Sequence, residues 1–489
     1  MPEPSALDTP EAKKEERIPL DVDKDPVVTE HEIRIDGKPF RYSATTGMLP
    51  ILAATGEAEA GMFYVYYRKL GGDSTADRPL MVSFNGGPGS SSVWLHLGAV
   101  GPKRAPMNPD GSLPPPPYRL IDNPDTWLRD CDLVFVDPVG TGYSRPAKPD
   151  GGEKFWGLKG DLDSVGEFIR LFLTRFERWA SPLYMVGESY GTTRASGLAG
   201  QLIDKGIAFN GILLVSSILN FQTARFVKGN DLPFVLFLPT YCATAWFHKK
   251  LPKDLQSKPL SEVLALAERF ALGDYHAALA KGSGLTESER RRVAGALARF
   301  TGLSRSYVEL ADLRIHIQRF CKELLRTDRR TVGRLDSRFK GIDLHTVSET
   351  PEHDPSMTAI RPPYTAMMND YVRRSLQYKN DATYHILGGE KKLWETWDWG
   401  NAGEGLPDTS EALRSALSKN PHMRIFVASG FYDLATPYFA TEFTLAHLGL
   451  DESLRENIST RYYEAGHMMY IDEGELKKLR NDVAEFLKS

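Results

Sequence analysis

The pentapeptide Gly187-Glu188-Ser189-Tyr190-Gly191 has the Gly-x-Ser-x-Gly spacing of a nucleophile elbow. Such a turn passes sharply from strand to helix, so its flanking positions must be small and its serine is held strained with the hydroxyl exposed. The helix that follows presents free N–H groups, which favour developing negative charge. Alone, the pentapeptide is equally an ordinary tight turn. The aliphatic run Leu183-Tyr184-Met185-Val186 before it, and a helical pattern after it, favour the elbow. A serine hydroxyl is a weak nucleophile without a base. In an elbow protein an acid and then a histidine should follow the serine in chain order. Asp433 lies just past the run Phe426-Val427-Ala428-Ser429-Gly430, and His467 follows Tyr463-Glu464-Ala465-Gly466. A lone Asp is usually a turn former and a lone His usually structural. Their order, each after a strand, makes Ser189, Asp433 and His467 a candidate catalytic set. Asp137 precedes the serine, Glu464 is too near His467 along one loop, and His447 lies in a helical pattern. Acyl transfer also needs donors for an oxyanion. The backbone N–H of Tyr190 should be one. The other should be that of Gly87, in the loop Asn85-Gly86-Gly87-Pro88-Gly89.

These groups need a scaffold that brings strand ends together. Leu80–Phe84, Leu133–Val136, Leu183–Val186 and Ile212–Val215 are short aliphatic runs that end in turn-forming residues, as buried parallel strands do. Helical spacing between them is clearest from Val165 to Trp179. Strand and helix in alternation imply a mostly parallel sheet covered on both faces. Ahead of these runs, Glu32–Ile35 and Phe40–Tyr42 flank the hairpin signal Asp36-Gly37, and Met62–Tyr67 alternates as a further strand. After about Phe221 the pattern becomes helical, as in Leu260–Leu272 and Glu287–Phe300. Strand-like sequence returns at Arg424–Ala428 and Ser459–Tyr463. The expected class is α/β: an α/β-hydrolase fold with a mostly parallel central sheet and an inserted helical cap. The expected divisions are a disordered arm over 1–28, core over 29–221, cap over 222–385 and core again over 386–489.

Composition excludes other classes. The chain has 489 residues, 41% of them hydrophobic and 25% charged, with a net charge of -4. This is ordinary for a soluble globular protein and offers no nucleic-acid surface. Cys131, Cys242 and Cys321 are far apart, which permits at most one disulfide and gives no zinc spacing. No metal or organic cofactor is expected. Leu232 to Phe247 is shorter than the ~18 residues of a membrane span and contains Pro233 and Pro239. The N-terminus has no apolar leader. A cytoplasmic location is the default expectation, and an exported one follows if a precursor was trimmed.

The same residues carry a resemblance to the serine carboxypeptidases, the family of the yeast vacuolar and plant enzymes. Asn85-Gly86-Gly87-Pro88-Gly89-Ser90-Ser91-Ser92, Pro138-Val139-Gly140-Thr141-Gly142-Tyr143-Ser144, Gly187-Glu188-Ser189-Tyr190-Gly191, the loop Asp433 to Pro437 and Gly466-His467-Met468 occur in the family's order. The resemblance implies a serine-type carboxypeptidase acting on peptides, with Ser189, His467 and Asp433 as its triad. It further implies that Asn85, Gly86 and Glu188 hold the substrate's terminal carboxylate, Glu188 as a protonated acid. A carboxyl can donate to a carboxylate while it keeps its proton, which needs a raised pKa. The family has a second glutamate two residues before Gly101-Pro102, where this chain has Ala99. Its usual cysteine after Pro-Gly is Ser90, and Val136-Asp137-Pro138-Val139 replaces Asp-Gln-Pro-Val. Without the partner acid, Glu188 is expected to ionise more readily, unless a cation such as Lys103 or Arg104 takes over the anchoring. A near-neutral optimum and a weaker preference for a free C-terminus follow. Rival readings are an esterase or acyltransferase on the same scaffold and, further off, a non-catalytic binding protein.

Overall fold

The computed structural model describes residues 18–71, 77–389, 392–399 and 406–488. The longer strands are β1 (Val27–Ile35), β2 (Lys38–Leu52), β3 (Ala58–Lys69), β4 (Leu80–Phe84), β5 (Asp132–Val136), β6 (Leu183–Glu188), β7 (Gly211–Val215), β8 (Arg424–Gly430) and β9 (Ile458–Tyr463). They form one sheet in the order β1-β2-β3-β5-β4-β6-β7-β8-β9. The first four neighbours pair antiparallel, and from β5 onward every pairing is parallel. At the β1–β2 turn Asp36 (φ 49°) and Gly37 (φ 76°) are both left-handed, as a two-residue hairpin that matches strand twist requires.

The central parallel strands β4 to β8 are largely apolar because both faces are covered. Along β7, Ile212 and Leu214 face one core while Leu213 and Val215 face the other. Ile425 and Val427 of β8 oppose Phe426 and Ala428 in the same way. One face is covered by α1 (Leu158–Arg175), α2 (Tyr190–Ile203) and the later α7 (Ser410–Lys419). Helix α1 begins and ends earlier than the apolar spacing of Val165 to Trp179 suggests. Past its end the chain turns so that Arg178 is buried against Asp132 at 2.7 Å and the Tyr66 hydroxyl at 2.6 Å, leaving Trp179 outside.

Between β7 and β8 lie α3 (Leu232–Phe247), α4 (Leu260–Phe270), α5 (Glu287–Thr301) and α6 (Pro355–Arg374). Helices α3 to α5 form a third core with Tyr432, Leu434 and Tyr438. Pro233 sits in the first turn of α3, where no N–H partner is needed, and Pro239 is accommodated inside the helix. Helix α6 differs from its neighbours: Ile360, Tyr364, Met367 and Tyr371 join the core on the other face of the sheet. That face also takes the C-terminal α9 (Glu473–Lys488), and α8 (Tyr438–Ala446) packs against α3.

Of the arm expected to be disordered, residues 1–17 lie outside the described residues. Residues 18–26 are packed. The Ile18 N–H donates to the Ala147 carbonyl at 2.8 Å, and the Tyr378 hydroxyl donates to the Asp21 carboxylate at 2.9 Å. Cys131, Cys242 and Cys321 are free, buried thiols, and burial pushes each far above its ordinary pKa. Among the described residues no helix is long and apolar enough to cross a membrane.

Candidate active site

Ser189 lies between β6 and α2 with φ 59° and ψ -130°, a left-handed conformation that a serine adopts at a cost of order 1–3 kcal/mol. The elbow closes because its glycines leave room: a β-carbon on Gly187 would come within 2.1 Å of the Gly191 carbonyl oxygen. The glycine-rich loop after β4 rests directly on the start of α2. A β-carbon on Gly86 would lie 2.4 Å from the Tyr190 nitrogen, so Gly86 and Gly87 bring their backbone to the helix N-terminus that also carries Tyr190.

Asp433 follows β8 and His467 follows β9, and the fold brings them together. His467 Nδ1 is 2.7 Å from Asp433 Oδ2. A carboxylate accepts, so the ring carries its proton on Nδ1 and leaves Nε2 for exchange. The other carboxylate oxygen accepts from the backbone N–H groups of Ala435 (2.7 Å) and Thr436 (3.1 Å), and the Thr436 hydroxyl donates to Oδ2 at 2.7 Å. Burial alone would lower the His467 pKa. The charge and hydrogen bond of Asp433, with the Glu188 charge, outweigh it and leave the imidazole raised.

The end of β7 ties the loops of Ser189, Asp433 and His467 together. The Ser189 N–H donates to the Val215 carbonyl (3.0 Å) and the Ser216 hydroxyl to the His467 carbonyl (2.6 Å), while the Thr436 oxygen lies 3.0 Å from the Ser216 carbonyl. Ser216 itself is left-handed at φ 52°. In the sequence this role has one signal, the turn that follows the run Ile212–Val215.

Ser189, His467, Asn85, Gly86, Gly87 and Glu188 line one cleft of about 350 Å³. Tyr190 points away: its ring is buried against Trp397 and Trp399, leaving its backbone at the helix start. Trp394 lines the cleft while the other two tryptophans pack. Asn85 Oδ1 accepts from the Leu95 N–H at 3.0 Å, and its buried Nδ2 makes no hydrogen bond of normal geometry among the described residues.

Glu188 is fully buried, and that burial pushes its carboxyl up to about 7 against the opposing pull of His467 and Tyr470. Desolvation thus raises this carboxyl although no second acid stands at Ala99. Ala99 is buried, and the Tyr470 ring lies over its neighbour Gly98, where a β-carbon would come within 2.3 Å. From there the Tyr470 hydroxyl donates to Glu188 Oε2. Tyr470 follows His467 by one short turn and carries no recognisable motif, so sequence reasoning missed it. The suggested cations are elsewhere engaged: Lys103 pairs with Asp122, and Arg104 with Glu473 at 3.0 Å. Arg334, from the insertion, is the cation that lines the cleft.

The competing groups have other places. Asp137 accepts from the Ser92 N–H at 2.8 Å and is raised to about 6 by burial. Glu464 is exposed, and His447 bonds the Phe443 carbonyl on the surface.

A mostly parallel sheet, a strained serine between strand and helix, and an acid and histidine beyond the last two strands define the α/β-hydrolase class of protein. Residues 38–228 match the family model described as serine carboxypeptidase. Over that stretch the chain is similar to the serine carboxypeptidases. Serine carboxypeptidase-like 8 of Arabidopsis thaliana is 29% identical over 207 residues, covering 41% of this chain and 42% of that protein. The retinoid-inducible serine carboxypeptidase of Mus musculus is 31% identical over 152 residues, 29% of each. The chain thus spans less than half the length of these relatives. The crystal structure of Kex1(delta)p, a prohormone-processing carboxypeptidase from Saccharomyces cerevisiae, has the same fold. It covers 91% of each chain at a TM-score of 0.58 and 16% identity.

Proposed function

We propose that this protein is a serine-type carboxypeptidase that releases C-terminal residues through an acyl-enzyme on Ser189. His467 Nε2 takes the serine proton during attack and returns it to the leaving amine. Asp433 holds the ring tautomer and stabilises the imidazolium. The backbone N–H groups of Gly87 and Tyr190 receive the oxyanion. Residues 222–385 act as the cap that encloses the cleft.

The observation that carries the reading is Glu188. It is a buried carboxyl raised to about 7, in one cleft with Ser189, His467 and Asn85, whose amide nitrogen makes no hydrogen bond of normal geometry among the described residues. Such a pair can donate two hydrogen bonds to a carboxylate while Glu188 is protonated. The test is mass spectrometry of one peptide with a free and with an amidated C-terminus. Stepwise loss of residues from the free acid supports the reading, and cleavage of esters with both peptides left intact refutes it. The absence of a second carboxyl at Ala99 favours, as a second reading, an esterase or acyltransferase that holds its acyl donor without a carboxylate.

A further inference from the structure

We propose that Arg334 engages a carboxylate on the leaving residue of the substrate and so sets which C-termini are cut; this rests on the carboxypeptidase reading above. Arg334 comes from the insertion, yet its backbone is fastened to the catalytic loops. Its N–H donates to Asp354 Oδ1 at 3.0 Å, and its carbonyl accepts from the Leu434 N–H at 3.0 Å, one residue past Asp433. The next residue, Leu335, accepts from the His467 N–H at 2.6 Å. The segment therefore lies on the imidazole side of the cleft. The leaving residue must also lie there, because it takes its proton from His467.

The Arg334 guanidinium itself has no carboxylate partner at ion-pair distance among the described residues, although Asp354 lies at its backbone. The nearby arginines Arg314 and Arg338 are held by Asp231 (2.6 Å) and Asp336 (2.7 Å), whereas Arg334 enters no ion pair among the described residues. Among the described residues no lysine and no other arginine lines the cleft. Arg225 shares an adjoining cavity of about 280 Å³ with Arg334 and Ala435. It stacks over the Trp399 ring at 4.8 Å and likewise enters no ion pair among the described residues. Burial, and then the like charge of Arg334, disfavour its protonated form. Two guanidiniums near each other with no acid between them leave a place that an anion would neutralise. A planar guanidinium suits a carboxylate through paired N–H donors.

Two carboxylates could fill that place: the terminal one, or the side chain of a C-terminal Asp or Glu. The experiment uses N-blocked peptides that differ in the last residue: alanine free acid, alanine amide and glutamic acid α-amide. The quantity read is the ratio of kcat/KM for each carboxylate substrate over alanine amide, in wild type and in Arg334→Gln. The ratio should fall about 10- to 100-fold in the variant, through KM. Arg334→Lys should hold an intermediate ratio, since it keeps the charge without the fork. A fall confined to alanine free acid identifies the terminal carboxylate, and one confined to glutamic acid α-amide identifies the side chain. Equal ratios in wild type and Arg334→Gln, or equal losses on all three substrates, overturn the proposal. If no peptide is cut, the carboxypeptidase reading has failed. The same ratio is then read on an N-blocked amino-acyl ester of lactic acid against the ester of lactamide, with the same outcome deciding for or against Arg334.

Discussion

Replacing Tyr470 with Phe should raise the pKa of Glu188 and widen the pH range over which free-acid peptides are cut. The hydroxyl donates to Glu188 Oε2, so it stabilises the ionised carboxyl and holds down a pKa that burial pushes to about 7. A hydrogen bond to a charged, buried group contributes about 1.5–3 kcal/mol, and 1.36 kcal/mol is one pKa unit. Its loss should raise Glu188 by about one to two units. Under the proposed function a free-acid substrate needs Glu188 protonated, so the alkaline limb of kcat/KM should move up by that amount. The acid limb reports His467, which must be neutral to act as base. Ionised Glu188 raises the imidazole's pKa, so keeping Glu188 neutral over a wider range should move the acid limb down. The two groups titrate as a pair, and the limbs belong to the pair. Removing the hydroxyl favours the microstate with neutral imidazole and protonated carboxyl over its charge-separated counterpart. The assay is kcat/KM from pH 4 to 10 on matched free-acid and amide peptides, for wild type and Tyr470→Phe. The amide profile should show no shift of the alkaline limb. An alkaline limb that stays put or moves down for the free acid would refute the assignment of Tyr470 to Glu188.

Other outcomes follow from the same geometry. Ser189→Ala should lower kcat by on the order of 10⁶, and Asp433→Asn by about 10⁴, with circular dichroism unchanged; more than a few per cent residual activity in Ser189→Ala would move the nucleophile elsewhere. Glu188→Gln should gain stability over wild type at pH 8.5 but not at pH 4. A carboxyl whose folded pKa is raised from 4.5 to about 7 contributes stability below the unfolded value, which is lost as pH rises through the folded one. The gain should be at most about 3 kcal/mol by urea unfolding. Gly187→Ala should cost about 2–4 kcal/mol and also depress kcat, because its β-carbon would displace the backbone of the elbow; wild-type stability in this variant would show that the turn has room to give.

Features made by contiguous residues were legible in the sequence. The aliphatic runs before Asn85, Asp137, Gly187 and Ser216 are strands because alternate side chains fill two cores at once, which keeps them largely apolar, with Ser83 an exception. The hairpin at Asp36-Gly37 was readable because few residues take two left-handed angles in succession. Contacts between distant segments were not legible. Tyr470 reaches Glu188 across 282 positions, and Arg178 meets Asp132 across 46. Neither pair has a local pattern, and each is fixed by packing. The same holds for Arg334, whose position depends on how the insertion folds back, and for α6, which joins the sheet's own core although it lies within the helical segment.

The bond from the His467 N–H to Leu335 O gives the insertion a mechanical role. Strands β7 and β8 pair in parallel, so the chain leaves the sheet after Val215 at one edge and re-enters it at Arg424, beside Gly211, at the opposite edge. Between these two points the segment is latched to the histidine, so displacing it pulls on His467. Substitutions in the insertion that leave α6 and the Arg334-Leu335 latch in place should therefore leave catalysis intact.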